Sequence, residues 1–92
     1  MYQFVWENSF VRSFKRATKN NTILKDRITS ILKIMSDDPF NPKLRTHKLH
    51  GKLSSLFASS IDFEYRIVFS IREIDEKMSI VLIDIGTHDE VY

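Results

Sequence analysis

Five residues of this 92-residue chain have side chains that could together cleave a phosphodiester bond: His47, Glu64, Arg66, His88 and Tyr92. A histidine titrates near neutral pH, so a pair of them can supply the base and the acid of one reaction. An arginine presents a fixed fork of donors to a phosphate that gains charge, and an aromatic ring can stack on a nucleobase. These groups are what RNA cleavage without a metal requires: a base for the ribose 2′-hydroxyl, a cation for the transition state and an acid for the 5′ leaving oxygen.

Residues 43–52 form a basic segment. No acidic residue occurs between Asp38 and Asp62. Residues 1–60 hold 11 Lys and Arg against 4 Asp and Glu, whereas residues 61–92 hold 3 against 8, although the net charge is only +2. This separation favours a polyanionic partner for the basic part, the alternative being two oppositely charged surfaces that serve solubility. The candidate RNA-binding residues are Lys43, Arg45, Lys48, His50 and Lys52.

The three histidines could instead bind a metal ion. His47 and His50 are three residues apart and His88 is distant, but this spacing lacks the well-placed carboxylates of common metal sites. The chain has no cysteine, so it can form neither a thiolate site nor a disulfide. We therefore predict no metal and no cofactor.

Arg66, Tyr92 and Trp6 each have a purely structural alternative. Arg66 interrupts an apolar strand pattern, where it could point outward and pair with Asp62 or Glu64. Tyr92 could pack at the end of the domain, and Trp6 is expected in the core.

The hydrophobic pattern predicts the elements that position these residues. Short alternating runs predict strands, and apolar residues at helical spacing predict two helices separated by Asn20, Asn21 and Thr22. Asn8 or Ser9 is expected to cap the first helix. The predicted order is strand 2–6, helix 9–19, a second helix that follows Thr22, carries its apolar stripe from Leu24 to Met35 and ends near Asp37, and strands 57–61, 66–71 and 78–85. The charged turn 73–77 joins the last two strands, Gly86 ends the last one, and that strand is expected at the centre of the sheet.

This order predicts one α+β domain spanning residues 1–92. Its sheet has about four strands, antiparallel because the connecting turns are short, with the N-terminal helical hairpin packed on one face. The other face is left for a ligand. The chain begins without the pattern of a signal peptide, and no apolar run reaches the ~18 residues of a membrane span. We therefore expect a cytoplasmic protein that does not enter a membrane.

Three motifs carry a resemblance to a known family. HKLHGKL, which contains Gly51, is followed by a strand pair ending in YRIVF and then by IVLIDIGTHDEVY. In their order and spacing, over nearly the whole chain, these motifs resemble the RelE/ParE superfamily of bacterial type II toxins, closest to its YafQ branch. The resemblance implies a compact α+β domain and a cognate antitoxin protein as partner. It also implies metal-independent endonucleolytic cleavage of messenger RNA in the ribosomal A site, with the ribosome as a further partner.

The resemblance also implies roles for individual residues. His47, in a His-x-Leu-x-Gly motif, matches a histidine taken as general base, and His88, in Gly-Thr-His-x-x-x-aromatic, matches one taken as general acid. Tyr92 matches the aromatic residue that helps to position the nucleotide. Glu64 stands where YafQ-like proteins carry a functional aspartate. Arg66 matches the strand arginine of RelE-like toxins that stabilises the phosphate.

The sequence departs from the family at two positions. Ser60 stands where YafQ-like proteins have a further histidine, and the strand lysines of RelE-like toxins would fall on Ala58 and Ser60. The lysine-rich RelE scheme is therefore excluded, and the expected base is His47, with Glu64 in reserve. Two other functions stay open at this point: a gyrase poison of the same fold, like the ParE branch, and a non-catalytic RNA-binding module.

Overall fold

The protein, in a computed structural model that describes residues 1–51 and 55–87, is a helical hairpin packed against a mixed sheet. The elements in chain order are β1 (Gln3–Trp6), α1 (Asn8–Thr18), α2 (Thr22–Asp37), a 3₁₀ turn (Pro42–Leu44), β2 (His47–Lys48), β3 (Phe57–Ser60), β4 (Tyr65–Ile74) and β5 (Lys77–Thr87).

The strand order of the sheet is β1-β5-β4-β3-β2. β2, β3, β4 and β5 pair antiparallel, as their short connections require, whereas β1 pairs parallel with β5. The predicted α+β fold with a helical hairpin on one face is confirmed. The sheet has five strands rather than four because the two-residue β2 adds a strand at its edge, and β4 rather than β5 lies at its centre.

Period-2 alternation along β4 separates the two faces of the sheet. Ile67 and Phe69 point toward the helices, where they join the main core with Phe10, Ile28 and Leu82. Val68 points the opposite way, into a smaller cluster with Leu49 and Ala58. The face opposite the helices is called the outer face below.

The ends of the two helices are held differently. Asn21 caps α2, since its side-chain oxygen accepts a hydrogen bond from the backbone N–H of Leu24 at 3.0 Å. The predicted cap of α1 by Asn8 or Ser9 is wrong, because Glu7 occupies that position and makes no side-chain capping bond. The hydroxyl of Ser9 instead donates to the backbone carbonyl of Ile83 on β5, at 2.6 Å.

That contact belongs to a β-bulge in the last strand. Val68 pairs with Asp84 and Phe69 pairs with Leu82, so Ile83 has no partner across the ladder. Two serines one turn apart on α1 compensate for the interruption: Ser9 binds the carbonyl of Ile83, and the hydroxyl of Ser13 accepts from the N–H of Ile85 at 3.0 Å. The helix therefore fixes the part of β5 that pairs with the start of β4.

Two further expectations are corrected. Trp6 is 47% exposed rather than buried, because it ends a short edge strand, although its ring meets the ring of Phe10 edge-on at 5.1 Å. Gly86 does not end β5, which continues to Thr87. Among the helices that the structure describes, none combines the length and apolarity needed to cross a membrane.

Candidate functional site

The basic segment is anchored by its apolar residues and presents its charged ones. Leu44 and Leu49 are buried in the main core and in the outer-face cluster, respectively. Between them, the hydroxyl of Thr46 donates to the carbonyl of Pro39 and hydrogen-bonds the hydroxyl of the buried Ser59, both at 2.6 Å. The exposed residues of the segment include Lys43, Arg45, His47, Lys48 and His50.

Two backbone conformations shape this segment. Gly51 has a φ of +68°, a left-handed backbone conformation that residues other than glycine rarely adopt. This conformation gives a physical reason for the glycine of the His-x-Leu-x-Gly motif. Arg45 has a φ of +50° and ends the 3₁₀ turn. The left-handed backbone conformation of Arg45 changes the direction of the chain between the 3₁₀ turn and β2.

His47 lies on the outer face of the sheet. It pairs with Ala58 on β3, which pairs with Val68 on β4, which in turn pairs with Asp84 on β5, and residues paired in this way share a face. Its Nδ1 lies 3.2 Å from the carbonyl oxygen of Arg45. Because a carbonyl only accepts, Nδ1 donates and Nε2 is the basic nitrogen of the neutral ring.

Arg66 lies on the same face, two residues before Val68 on β4, and it pairs with Ser60 and Gly86. It stands two strands across and two residues along from His47, about 12 Å between Cα atoms for ordinary sheet spacings. Its Nη1 donates to the carbonyls of Asp62, at 2.7 Å, and of Tyr65, at 3.1 Å. Within the described residues it forms no ion pair, so the sequence-based alternative of a pair with Asp62 or Glu64 is wrong; it contacts the backbone of Asp62 instead.

Glu64 is exposed in the turn between β3 and β4. The carboxylate that organises this turn belongs to Asp62, whose Oδ1 accepts from the N–H of Glu64 at 2.9 Å and of Tyr65 at 2.8 Å. The turn thus holds the backbone that orients Arg66, and it leaves the Glu64 side chain at the surface one residue before β4.

A depression of about 300 Å³ adjoins Arg66 at this end of the sheet. Four cations line it, Arg27 of α2, Lys43 and Arg45 of the basic segment, and Arg66 itself, and it is called the cationic hollow below. Phe63, whose side chain is fully exposed, also lines it. The arrangement brings together positive charge from three separate parts of the chain, which suits an anion with a planar ring attached.

Three residues near the site escaped the sequence analysis. Arg27 is one of several surface cations on the helices, and no local signal sets it apart. Phe63 is an aromatic residue inside a polar turn, a signal that could have been noticed. Asp84 is half-buried and lies on the outer face with His47 and Arg66. Regular alternation along β5 would have placed it on the helix-covered face. The bulge at Ile83 reverses the facing of the residues after it.

Three of the predicted site residues, His88, Tyr92 and Lys52, lie outside the described residues. Lys48 pairs with Phe57, so its side chain leaves β2 on the side opposite His47. Among residues 1–51 and 55–87, no three His, Asp or Glu side chains are grouped closely enough to hold a metal ion.

The sequence matches a family model described as "Bacterial toxin of type II toxin-antitoxin system, YafQ" over residues 2–92. No curated protein sequence is a significant match to the chain.

Solved structures share the fold at low sequence identity. A YoeB/ParE toxin from Agrobacterium tumefaciens has a TM-score of 0.80 and 16% identity, with 94% of this chain and 98% of that chain covered. YafQ from E. coli has a TM-score of 0.70 and 13% identity, with 100% and 99% covered. The E. coli DinJ-YafQ toxin-antitoxin complex contains a chain with a TM-score of 0.71 and 10% identity, with 99% and 97% covered. At these identities the likeness establishes the fold.

Proposed function

This chain belongs to the YafQ family of bacterial type II toxins, and we propose from that premise that it is a ribosome-dependent, metal-independent endoribonuclease that cuts messenger RNA in the ribosomal A site. One observation carries the proposal beyond family membership: the structure puts a histidine, His47, and a guanidinium, Arg66, on one face of the sheet beside a cation-lined depression. A base and a phosphate-binding group on one rigid surface are what attack by a 2′-hydroxyl needs.

In the proposed reaction His47 acts as the general base. Its Nε2 takes the proton of the ribose 2′-hydroxyl, and that oxygen forms a bond to the adjacent phosphorus. Because Nδ1 donates to the Arg45 carbonyl, the ring is held in the tautomer that accepts at Nε2. Glu64 is the reserve base, since it stands at the surface of the neighbouring turn.

Arg66 stabilises the negative charge that develops on the phosphate oxygens. Two carbonyls hold its Nη1, so the planar group is oriented before substrate arrives, and Nε and Nη2 remain to donate to the phosphate. The bond from phosphorus to the 5′ oxygen then breaks, and His88 gives that oxygen its proton. Tyr92 stacks on the nucleotide. The products are a 2′,3′-cyclic phosphate and a 5′-hydroxyl.

The proposed partners follow from the same family. A cognate antitoxin protein binds and neutralises this toxin; the DinJ-YafQ structure is a toxin-antitoxin complex of that pair. The exposed residues Lys43, Arg45, Lys48 and His50 contact RNA, together with Lys52. The site of action is the cytoplasm, where translating ribosomes present the messenger.

Primer extension on a defined messenger, with and without translating ribosomes, tests the proposal. The purified protein should produce cuts within the A-site codon only when ribosomes are present, and a chelator such as EDTA, added after ribosome loading to a level that leaves them assembled, should not prevent the cuts. An intact messenger under these conditions would contradict the proposal. DNA gyrase inhibition by the same preparation would then identify a ParE-like poison, and RNA binding without gyrase inhibition a non-catalytic module.

A further inference from the structure

The cationic hollow extends beyond the groups that the proposed reaction uses. Arg66 forms one wall of it, but Arg27 and Phe63 come from α2 and from the turn between β3 and β4. We propose that the hollow binds one phosphodiester of single-stranded RNA next to the one that is cut, and that Phe63 stacks on the base of that nucleotide. The inference rests on the proposed function and names how that site holds its substrate.

The charge of the hollow supports an anionic ligand. Its four cations form no ion pair with any residue in the described part of the chain. Asp62 is the carboxylate in the lining, and its Oδ1 is occupied by two backbone N–H groups of its own turn. A concave surface with four positive charges and one negative charge attracts an anion and concentrates the potential inside it.

The donors in the hollow suit a phosphodiester. Arg66 uses only Nη1 in its contacts with described residues, so Nε and Nη2 can donate to phosphate oxygens. Arg27 lines the same depression from α2. With a volume of about 300 Å³, the hollow has the size of a small-ligand site rather than of a narrow crevice.

Phe63 adds recognition of the base. Its ring is 100% exposed, so it contributes nothing to the core, and it stands in a turn whose backbone the Asp62 carboxylate holds in place. An aromatic ring presented beside a phosphate-binding group is the combination with which proteins hold unstacked nucleotides of a single strand. A double-stranded RNA would not offer a base to this ring.

Binding of a single-stranded 2′-O-methyl oligonucleotide, measured by fluorescence anisotropy over a series of salt concentrations, tests the inference. This probe cannot be cut by 2′-hydroxyl attack, so the measurement is independent of catalysis. The variants are Arg27→Gln and Phe63→Ala. Arg12→Gln is the matched control, because Arg12 is an exposed arginine on α1 that does not line the hollow.

The two variants should weaken binding in different ways. Arg27→Gln should raise Kd roughly tenfold and reduce the slope of log Kd against log salt by about 0.7, the value for one lost contact to a single strand. Phe63→Ala should raise Kd by roughly fivefold or more with an unchanged slope, because it removes stacking and no charge. Arg12→Gln should match the unmodified protein, and the Tm should change little in all three.

Unchanged affinity in both Arg27→Gln and Phe63→Ala would overturn the inference, even if the protein cuts messenger RNA, and would leave the hollow to another partner such as an acidic protein segment. A loss equal to that of Arg12→Gln would overturn it as well, because it would show a diffuse charge effect. Conversely, the expected pattern in a protein that cuts no messenger would refute the proposed function and leave the nucleotide site standing.

Discussion

On the helix-covered face, the sheet contributes Ile67, Phe69 and Ile80 to a core in which Phe10 and Ile28 are also fully buried. On the outer face, the same strands contribute Ala58 and Val68 to a small cluster closed by Leu49. The outer face also carries the side chains of His47, Arg66 and Asp84. Among the described residues, no charged side chain is buried in the main core. The helix-covered face therefore carries most of the buried apolar packing, and the outer face combines a small apolar cluster with charged and polar residues.

Of the substitutions that test the difference between the two faces, His47→Ala is expected to have the largest effect, on the rate of messenger cleavage. Loss of a positioned general base should lower the rate of messenger cleavage by about 10²–10⁴. The free energy of unfolding should change by less than about 0.5 kcal/mol, because the side chain is exposed. Single-turnover cleavage and urea denaturation measure the two quantities. Lys77→Ala, at the far end of β5, is the control; a rate loss in both variants would show that His47 has no special role.

A matched pair of neighbours on β4 tests the two faces for stability. Phe69→Ala should lower the free energy of unfolding by about 3–5 kcal/mol, since Phe69 is fully buried and stacks on Phe57 at 5.7 Å. Val68→Ala, on the outer face, should cost about 2 kcal/mol. Urea denaturation measures both, with Phe69→Leu as a substitute if Phe69→Ala does not fold. Equal losses at the two positions would contradict the division of roles.

Thr46 lies in the chain between Leu44, which is buried in the main core, and Leu49, which is buried in the outer-face cluster. Thr46→Val removes the hydroxyl that binds the carbonyl of Pro39 and the hydroxyl of Ser59, leaving Ser59 buried without that partner. The expected loss of stability is about 1–3 kcal/mol. A double-mutant cycle with Ser59→Ala measures the coupling, which should be favourable. Additive losses would show that the two hydroxyls do not act together.

The smallest effect is expected where α1 supports the bulge. Ser13→Ala removes one of two acceptors of the Ile85 N–H, the other being Oδ1 of Asp84 at 2.9 Å, so it should cost about 1 kcal/mol. Hydrogen exchange at Ile85 should become faster while exchange near Ile71 does not. Unchanged exchange at Ile85 would mean that the bulge is stable without the hydrogen bond to Ser13.

Local pattern predicted much of this fold. Alternation along 66–71 assigned Ile67, Phe69 and Arg66 to their faces, since a side-chain period of two depends only on local geometry. The parallel pairing of β1 with β5 could not be predicted in the same way, because it joins residues more than 70 positions apart. The exposure of Trp6 depends on that pairing too. Trp6 is the last residue of β1, and β1 lies at the edge of the sheet, so within the described residues no further strand covers the ring.

The sequence named candidate site residues by their chemistry, but not all the residues that the structure brings next to them. His47 and Arg66 were named from their chemistry and from motif resemblance; the structure puts them on one face of the sheet, and their roles stay predictions. Arg27 was missed because its relation to Arg66 exists only after α2 packs beside the turn between β3 and β4. Asp84 was missed because the bulge at Ile83, which no residue type announces, moves it to the outer face.

The central claim, attack by a ribose 2′-hydroxyl in a ribosome-bound messenger, has one direct test. A messenger with a single 2′-deoxynucleotide on the 5′ side of the mapped cut is loaded on ribosomes and treated with the protein. We expect no cut at that bond, and a cut at the same bond in the all-ribose messenger that leaves a 2′,3′-cyclic phosphate and a 5′-hydroxyl. Cleavage of the 2′-deoxy bond at an undiminished rate would contradict the account.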